Sequence, residues 1–495
     1  MRLSELANDI DGCEFRPGSA SAPGGGIHVR IAGLTADSGE VRQGYIFAAI
    51  PGTAQDGADF IPAALGQGAA AILVTPKVAV NVQSNVPLLI SANPRATLAE
   101  LAHRFYDHQP DVVCAVTGTN GKTSVANFLH QIWASEGKLS ASLGTLGVVT
   151  NAKTQILTHT TPDPVTLHRH LHELALGGIS HAVIEASSHG LAQHRLDGVN
   201  VAAGALTNLT RDHLDYHESF EEYLAAKLRL FSAVVQTRGA AVLNADMDYF
   251  DDARSAAEVR RLSISSVGQA GATLKLISQM AHGQGLSLEV VYDGHTYDVE
   301  LPLMGGFQAS NVLIAAGLAL ATGSDASKVF GSLGQLKGAE GRVELIGRSV
   351  KGGLIFVDYA HTPNALESVL KSIRLHTERK LHVVFGCGGD RDQGKRPLMG
   401  KIAADHADIT IVTDDNPRFE DADAIRAEIM AAAPKATEIG DRAAAIAHAM
   451  AGLESGDALI VAGKGHESGQ SIKGKTTAFK DADVVRDILA KEAGA

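Results

Sequence analysis

The nine residues VTGTNGKTS, 116–124, constrain the fold more than any other stretch of this chain. An apolar run, DVVCAVT, precedes them, and a segment with helical character from Lys122 to Glu136 follows, so the order reads strand, tight loop, helix. Gly118, Thr119, Asn120, Gly121, Lys122 and Thr123 spell a short G-x-x-G-K-[ST]. Glycines let the backbone curl until successive amides face phosphate oxygens, and the unpaired N–H groups opening a helix add a positive end. Lys122 is expected on the β/γ phosphates of ATP and Thr123 on a Mg²⁺ ion. The common form of the motif is longer between its glycines, so a plain tight turn is the competing reading; the strand-loop-helix context favours phosphate.

Such a unit belongs in a mostly parallel α/β sheet, and at 495 residues the chain exceeds one core. The expected fold is α/β in three domains. A small N-terminal α/β domain spans 1–109, and a central P-loop ATPase-like, mostly parallel sheet spans 110–343. A C-terminal Rossmann-like α/β domain spans 344–495. Within the second, SLEVVYDGHTYDVELPL predicts a hairpin turning on Asp293-Gly294. The formal charge of −12, with no clustered Lys and Arg, argues against a nucleic-acid partner. Cys13, Cys114 and Cys387 are too scattered for a disulfide framework or a metal knuckle. The N-terminus lacks a signal-peptide core and no apolar run reaches membrane-spanning length, so a cytoplasmic monomer without membrane insertion is expected.

Polar bursts at strand ends mark where ligands bind in such sheets. HAVIEASSHG sets Glu185 at a strand terminus with Ser187, Ser188 and His189 beyond it, and VAAGALTNL ends in TRDHLDYH, with Asp212, His213 and Asp215. Glu185 and His213 are candidate ligands for a second divalent ion. In ESFEEYLAAKLRLF, Ser219 and Glu222 form a capping box, and Tyr223, Lys227 and Phe231 share one face of the helix that follows. Lys227 then either snorkels out or is desolvated into a nucleophilic amine able to take up CO₂ as a carbamate, a ligand for Mg²⁺. Near the C-terminus the strand ADITIV opens into Asp414, Asp415, Asn416, Pro417 and Arg418, a cluster suited to a small molecule bearing both charges.

Taken together, TGTNGKT, HTTPDP, EASSHG, TNLTRDHLDYH, the AAK of 225–227, GRVE, DYAHTP, GCGGDRDQGKRP, DNPR and GKGHE resemble the Mur ligases from about residue 34 to the C-terminus. The resemblance implies ATP-dependent amide synthesis on UDP-MurNAc-L-Ala-D-Glu, and DNPR is the form found in members that use meso-diaminopimelate. It implies a uridine-end contact at Ser38 in LTADSG, where Gly39 stands in place of the family's usual arginine. It implies contacts to the sugar-peptide from Thr160, Thr161, Ser187, Gln193 and Arg195. The modified lysine of the family falls on Lys227. Nucleotide contacts fall on Asn311, Arg342, Asp358 and His361, with Gln308 departing from the usual asparagine. Acceptor contacts fall on Arg391, Asp415, Asn416, Pro417, Arg418, Gly463 and Glu467. Lys122, Glu185, His213 and Lys227 carry the implied catalysis. A lysine-adding homologue, a folylpolyglutamate-synthase-like ligase and a catalytically silent nucleotide-binding scaffold are the alternatives.

Overall fold

The computed structural model describes residues 1–19, 26–52, 55–82, 84–212 and 216–493. Three α/β units follow one another along the chain. The first is a five-stranded sheet in the spatial order Cys13–Arg16, Leu88–Ser91, Ala71–Val74, Tyr45–Ala48, Gly33–Thr35, parallel except at its first pair. Its last helix, Pro94–Phe105, starts where Asn93 Oδ1 accepts the amide of Ala96 and Pro94 fixes the first turn.

The second unit is an eleven-stranded sheet. Its parallel middle runs Leu274–His282, Ser263–Gly268, Val235–Asn244, Val201–Leu206, Val112–Thr117, His181–Glu185, Ser140–Gly144, and antiparallel hairpins extend both edges. The strand Val112–Thr117 shows why apolar runs rather than alternation mark this sheet. Cys114 and Val116 pack under the helices Lys122–Ser135 and Phe307–Ala321, while Val113 and Ala115 pack under Pro164–Leu176 on the other face. The expected hairpin turns on Asp293 and Gly294, both at positive φ.

The third unit is a six-stranded sheet, Glu344–Arg348, Leu354–Asp358, Ala458–Ala462, Leu381–Phe385, Ile409–Val412, Thr437–Glu438, parallel except for its first pair. A separate hairpin, Gly469–Ile472 with Lys475–Ala478, stands beside it. No described helix is long and apolar enough to cross a membrane.

Candidate active site

Register puts the catalytic candidates together. Glu185 pairs with Val116 on one side of the central strand and Leu206 pairs with Thr117 on the other, so the phosphate loop emerges between the two polar bursts. The order of strands reverses at this point, which leaves a crevice at the sheet's C-terminal edge. Gly121 caps the following helix at φ +88, and Gly118 lies at φ +143. A Cβ on Gly118 would strike Thr207 Oγ1, and one on Gly121 would strike Asn311 Oδ1, so both positions need glycine for space as well as conformation. The amide of Asn120 is fixed by Asn208 Oδ1 at 2.9 Å, and Thr119 Oγ1 lies 2.9 Å from the hydroxyl of Tyr223.

Two amines converge on this loop. Lys122 Nζ donates to the carbonyls of Gly118 and Thr119, each at 2.8 Å, and Lys227 Nζ donates to the same Gly118 carbonyl at 2.8 Å. Lys227 is 1% exposed and lies 4.6 Å from the centre of the Tyr223 ring, which overturns the snorkelling alternative. Burial, reinforced by the charge of Lys122, pushes its amine well below the ordinary lysine range. Burial also pushes Lys122 down, although Glu185 and Asp212 oppose it. The capping box is only half as expected. Ser219 Oγ accepts the amide of Glu222, but the Glu222 carboxylate reaches past Ser219 to the amide of Glu218 at 2.7 Å.

Glu185 is 2% exposed and accepts from Thr123 Oγ1 at 2.9 Å and from the amide and hydroxyl of Thr145. An anionic oxygen pair beside a threonine hydroxyl at a phosphate loop suits Mg²⁺, which takes oxygen donors. Thr160 Oγ1 lies 3.1 Å from Thr145 Oγ1, and Thr161 Oγ1 donates to the Glu185 carbonyl. Ser187 Oγ, 3.0 Å from Thr161 Oγ1, caps a short helix. Arg195 donates to the Thr161 carbonyl and to Gln193 Oε1, whose amide reaches the Tyr216 hydroxyl. Most of these groups line one cavity of about 360 Å³ with the phosphate loop and Lys227. His213 lies outside the described residues.

A neighbouring cavity of about 250 Å³ is lined by Gly121, Phe307, Asn311, Arg342, Asp358 and His361 among others. Gln308 stays 1% exposed behind it and accepts from the Asn311 amide at 3.1 Å, so the unusual glutamine orients Asn311 instead of lining the cavity. Arg342 lies two residues before Glu344–Arg348, the strand that opens the third sheet, with Nη2 3.3 Å from Thr123 Oγ1 and its guanidinium 4.4 Å above the Tyr359 ring. Asp358 accepts the amides of Val343 and Ala360, which holds Val343 at φ +50, and burial raises its carboxyl to about 6. Burial, reinforced by the charge of Lys395, pushes the His361 imidazole below its ordinary range, and its Nδ1 lies 2.8 Å from the Tyr359 carbonyl.

The third cavity, about 500 Å³, is lined by Arg391, Asp415, Asn416, Arg418, Gly463 and Glu467 together with Asp212, Tyr359 and His361. Asp414 faces away and pairs with Arg426, whose Nε also reaches Glu438, so the cluster presents one carboxylate, not two. Asp415 Oδ2 is buried without a hydrogen-bond partner, while Oδ1 accepts the Asn416 amide. Arg418 sits at φ +53, and Nη1 donates to the Gly389 carbonyl at 2.8 Å. Pro417 stays out of the cavity, its carbonyl accepting the amide of Glu420. Arg391 is exposed at the rim.

Sequence reasoning passed over several members of this wall. Lys464, 0% exposed, donates to Asn416 Oδ1 at 3.1 Å and to Glu467 Oε2 at 2.9 Å. The hairpin from Gly469 holds the cluster from outside. Ser471 gives its amide to Asn416 Oδ1 and its carbonyl to the Arg418 amide, and Gln470 donates to the Asp415 carbonyl. Tyr359 lines all three cavities, and only its place in DYAHTP signalled it. Ser38 lies elsewhere, on a turn capped by Asp37, and lines none of the three.

A phosphate loop at a sheet switch point, a buried carboxylate beside it and a polar cavity walled by another α/β unit fit an ATP-binding ligase. The chain belongs to the Mur ligase family. Residues 30–106 match the Mur ligase family catalytic domain, 116–319 the Mur ligase middle domain, and 341–465 the Mur ligase glutamate ligase domain. It is 50% identical over 468 residues, 94% of each chain, to the UDP-N-acetylmuramoyl-L-alanyl-D-glutamate–2,6-diaminopimelate ligase of Agrobacterium fabrum. A solved structure of an enzyme of that same name covers 100% of this chain and 99% of its own at 32% identity and a TM-score of 0.71. The MurF ligase of Thermotoga maritima in complex with ADP shares the fold at 20% identity and a TM-score of 0.62, covering 94% of this chain and 98% of its own.

Proposed function

We propose that the chain joins meso-2,6-diaminopimelate to the D-glutamyl γ-carboxylate of UDP-MurNAc-L-Ala-D-Glu, consuming ATP through an acyl phosphate and releasing ADP and phosphate, in the cytoplasmic synthesis of peptidoglycan precursors. The observation that carries the substrate assignment is that Arg418 and the buried Oδ2 of Asp415, which has no hydrogen-bond partner among the described residues, line one cavity. A guanidinium and a carboxylate on the wall of one cavity match the distal carboxylate and ammonium of diaminopimelate. The relatives named above supply independent support.

The phosphate loop amides and Lys122 receive the triphosphate, which draws Lys122 Nζ away from the loop carbonyls it now binds. Asn311, Arg342, Asp358 and His361 receive the nucleoside side. Thr160, Thr161, Ser187, Gln193 and Arg195 orient the dipeptide so that its carboxylate meets the γ-phosphate, while Ser38 takes the uridine end. Thr123, Glu185, His213 and Lys227 as its carbamate would hold Mg²⁺, which supplies charge neutralisation on the phosphoryl oxygens. Asn416, Gly463 and Glu467 hold the acceptor, and Arg391 and Arg418 hold its carboxylates; Pro417 shapes the turn that aims Arg418. The chain acts as a monomer.

Phosphate release measured with UDP-MurNAc-L-Ala-D-Glu, ATP and either diaminopimelate or lysine tests this. Diaminopimelate is expected to support turnover and lysine to fall short by roughly 10⁴, since lysine leaves Arg418 without an anionic partner. Arg418→Lys is expected to lose diaminopimelate preferentially; undiminished use by that variant removes Arg418 from its role. Turnover with lysine alone assigns the lysine-adding reaction instead, and no phosphate release with either amino acid indicates a silent scaffold.

A further inference from the structure

Far from this crevice, the sequence gathers histidines where the segment leaving the first sheet meets the central one. The helix Pro164–Leu176 carries His168, His170 and His172 on alternate residues, and the helix Pro94–Phe105 with the turn after it brings His103, Tyr106, Asp107 and His108 against it. The rings of His103 and His168 lie 5.7 Å apart, those of Tyr106 and His172 5.9 Å apart, and those of His108 and His172 5.4 Å apart and nearly perpendicular.

We propose that Asp107, His108 and His172 form a binding site for a divalent transition-metal ion, Zn²⁺ in the first instance, at the joint between the first and central sheets. Asp107 Oδ1 stands between two ring nitrogens, 2.7 Å from His108 Nδ1 and 3.7 Å from His172 Nδ1. One ligand atom from each of the three residues lies within 4.8 Å of the others. Donors around a tetrahedral Zn²⁺ at its usual bond lengths are separated by about 3.3 Å. The two Asp107 distances bracket that value, and the third separation, between the His108 and His172 nitrogens, stays within 4.8 Å. His172 Nδ1 is buried and has no hydrogen-bond partner, because the approach to Asp107 is too long for one. A metal ion would satisfy that nitrogen.

The donor set names the class of ion. Two imidazoles and one carboxylate favour Zn²⁺, Co²⁺, Ni²⁺ or Cu²⁺, whereas Mg²⁺ prefers oxygen alone. Asp107 and His108 are 63% and 56% exposed, which leaves a solvent-facing position for water as fourth ligand. The site is separate from the Mg²⁺ position. It adjoins the start of the strand Val112–Thr117, whose register pairs Val112 with His181, and the phosphate loop leaves the other end of that strand, roughly 20 Å away. Asp107 and His108 belong to the connection out of the first unit and His172 to a helix packed on the central sheet. An ion held by all three therefore pins that connection and stiffens the joint.

The test uses the full-length chain without an affinity tag, stripped with EDTA and held in excess Mg²⁺ so that oxygen-lined sites are occupied. Zn²⁺ is added with calorimetric readout, and Co²⁺ with visible absorption. One Zn²⁺ per chain is expected with a dissociation constant on the order of micromolar, together with a Co²⁺ d–d band of tetrahedral type and a rise in melting temperature on adding Zn²⁺. His172→Ala and Asp107→Asn should each weaken binding roughly tenfold or more and abolish the thermal shift, with phosphate release in Mg²⁺ unchanged. Asp107→Asn changes an exposed group and keeps the test valid even where His172→Ala does not fold. No Zn²⁺ uptake, or uptake equal in wild type and Asp107→Asn, overturns the site.

Discussion

Lys227 poses the sharpest question at the scale of single residues. A lysine cation almost wholly removed from water, beside a second lysine and hydrogen-bonded to a carbonyl that the second also uses, is in an unfavourable place to remain charged. The depressed pKa means that the folded chain releases this proton more readily than the unfolded chain does. Stability from this group is therefore lost at low pH and recovered as pH climbs toward the unfolded value of 10.5. A neutral amine is also the form that adds CO₂, and the resulting anion would replace a repulsion from Lys122 with an attraction. Wild-type protein equilibrated with ¹³C-bicarbonate is expected to show a carbamate carbon resonance that Lys227→Arg lacks, and that variant should lose at least roughly 100-fold in kcat. An identical spectrum from the two proteins would leave Lys227 as a plain buried amine.

At the scale of elements, the acceptor wall depends on parts that lie far apart in sequence. Lys464 follows the strand Ala458–Ala462, Asn416 follows Ile409–Val412, and the hairpin Gly469–Ile472 with Lys475–Ala478 closes over both. Lys464 is fully buried and binds the two side chains expected to touch the acceptor, so it acts as a positioning residue. Lys464→Met should raise the KM for diaminopimelate roughly tenfold or more while leaving the KM for ATP unchanged, because a buried polar network loses its central donor. Equal changes in both constants would mean general loosening of the fold. The same network marks the limit of what the sequence discloses. The phosphate loop was legible because its glycines serve a local backbone need, Glu185 because a carboxylate ending an apolar strand is conspicuous, and Lys227 because helical spacing placed it on the buried face. The role of Lys464 and of the hairpin arises from long-range pairing that no local pattern encodes. Asp414 misled because only its neighbour Asp415 faces the cavity, whereas Asp414 is drawn to Arg426 on the helix Ala422–Met430, a partner that the local sequence does not disclose. The reciprocal bond of the capping box slipped by one residue, to Glu218, for a comparable reason: the spacing fixes which side chain reaches back but not which amide it meets.

For the whole molecule, chemistry demands that the phosphate loop of the central sheet and the acceptor wall of the third sheet meet around one carboxylate, and an acyl phosphate must be kept from water. The hydrogen bonds that join these parts beside the phosphate loop come from exposed or half-buried polar groups, while Met304 and Phe307 add apolar contact with the core of the third sheet. Arg342 touches Thr123 at 3.3 Å, and Asn120 donates to Asn364 at 3.4 Å in an exposed position. Hydrogen bonds of this sort can be exchanged as the two parts move. Tyr359 and His361 border all three cavities, so a movement of the third sheet alters the nucleotide, phosphate and acceptor spaces together. Small-angle scattering should therefore report a smaller radius of gyration with a non-hydrolysable ATP analogue, UDP-MurNAc-L-Ala-D-Glu and diaminopimelate all present than for the free chain, with the nucleotide alone giving only part of the change. Arg342→Ala should weaken the response to nucleotide, because it removes the side chain that reaches from the third unit to the phosphate loop. If the free and fully liganded proteins scatter identically, the crevice is already assembled and water exclusion must come from the substrates themselves.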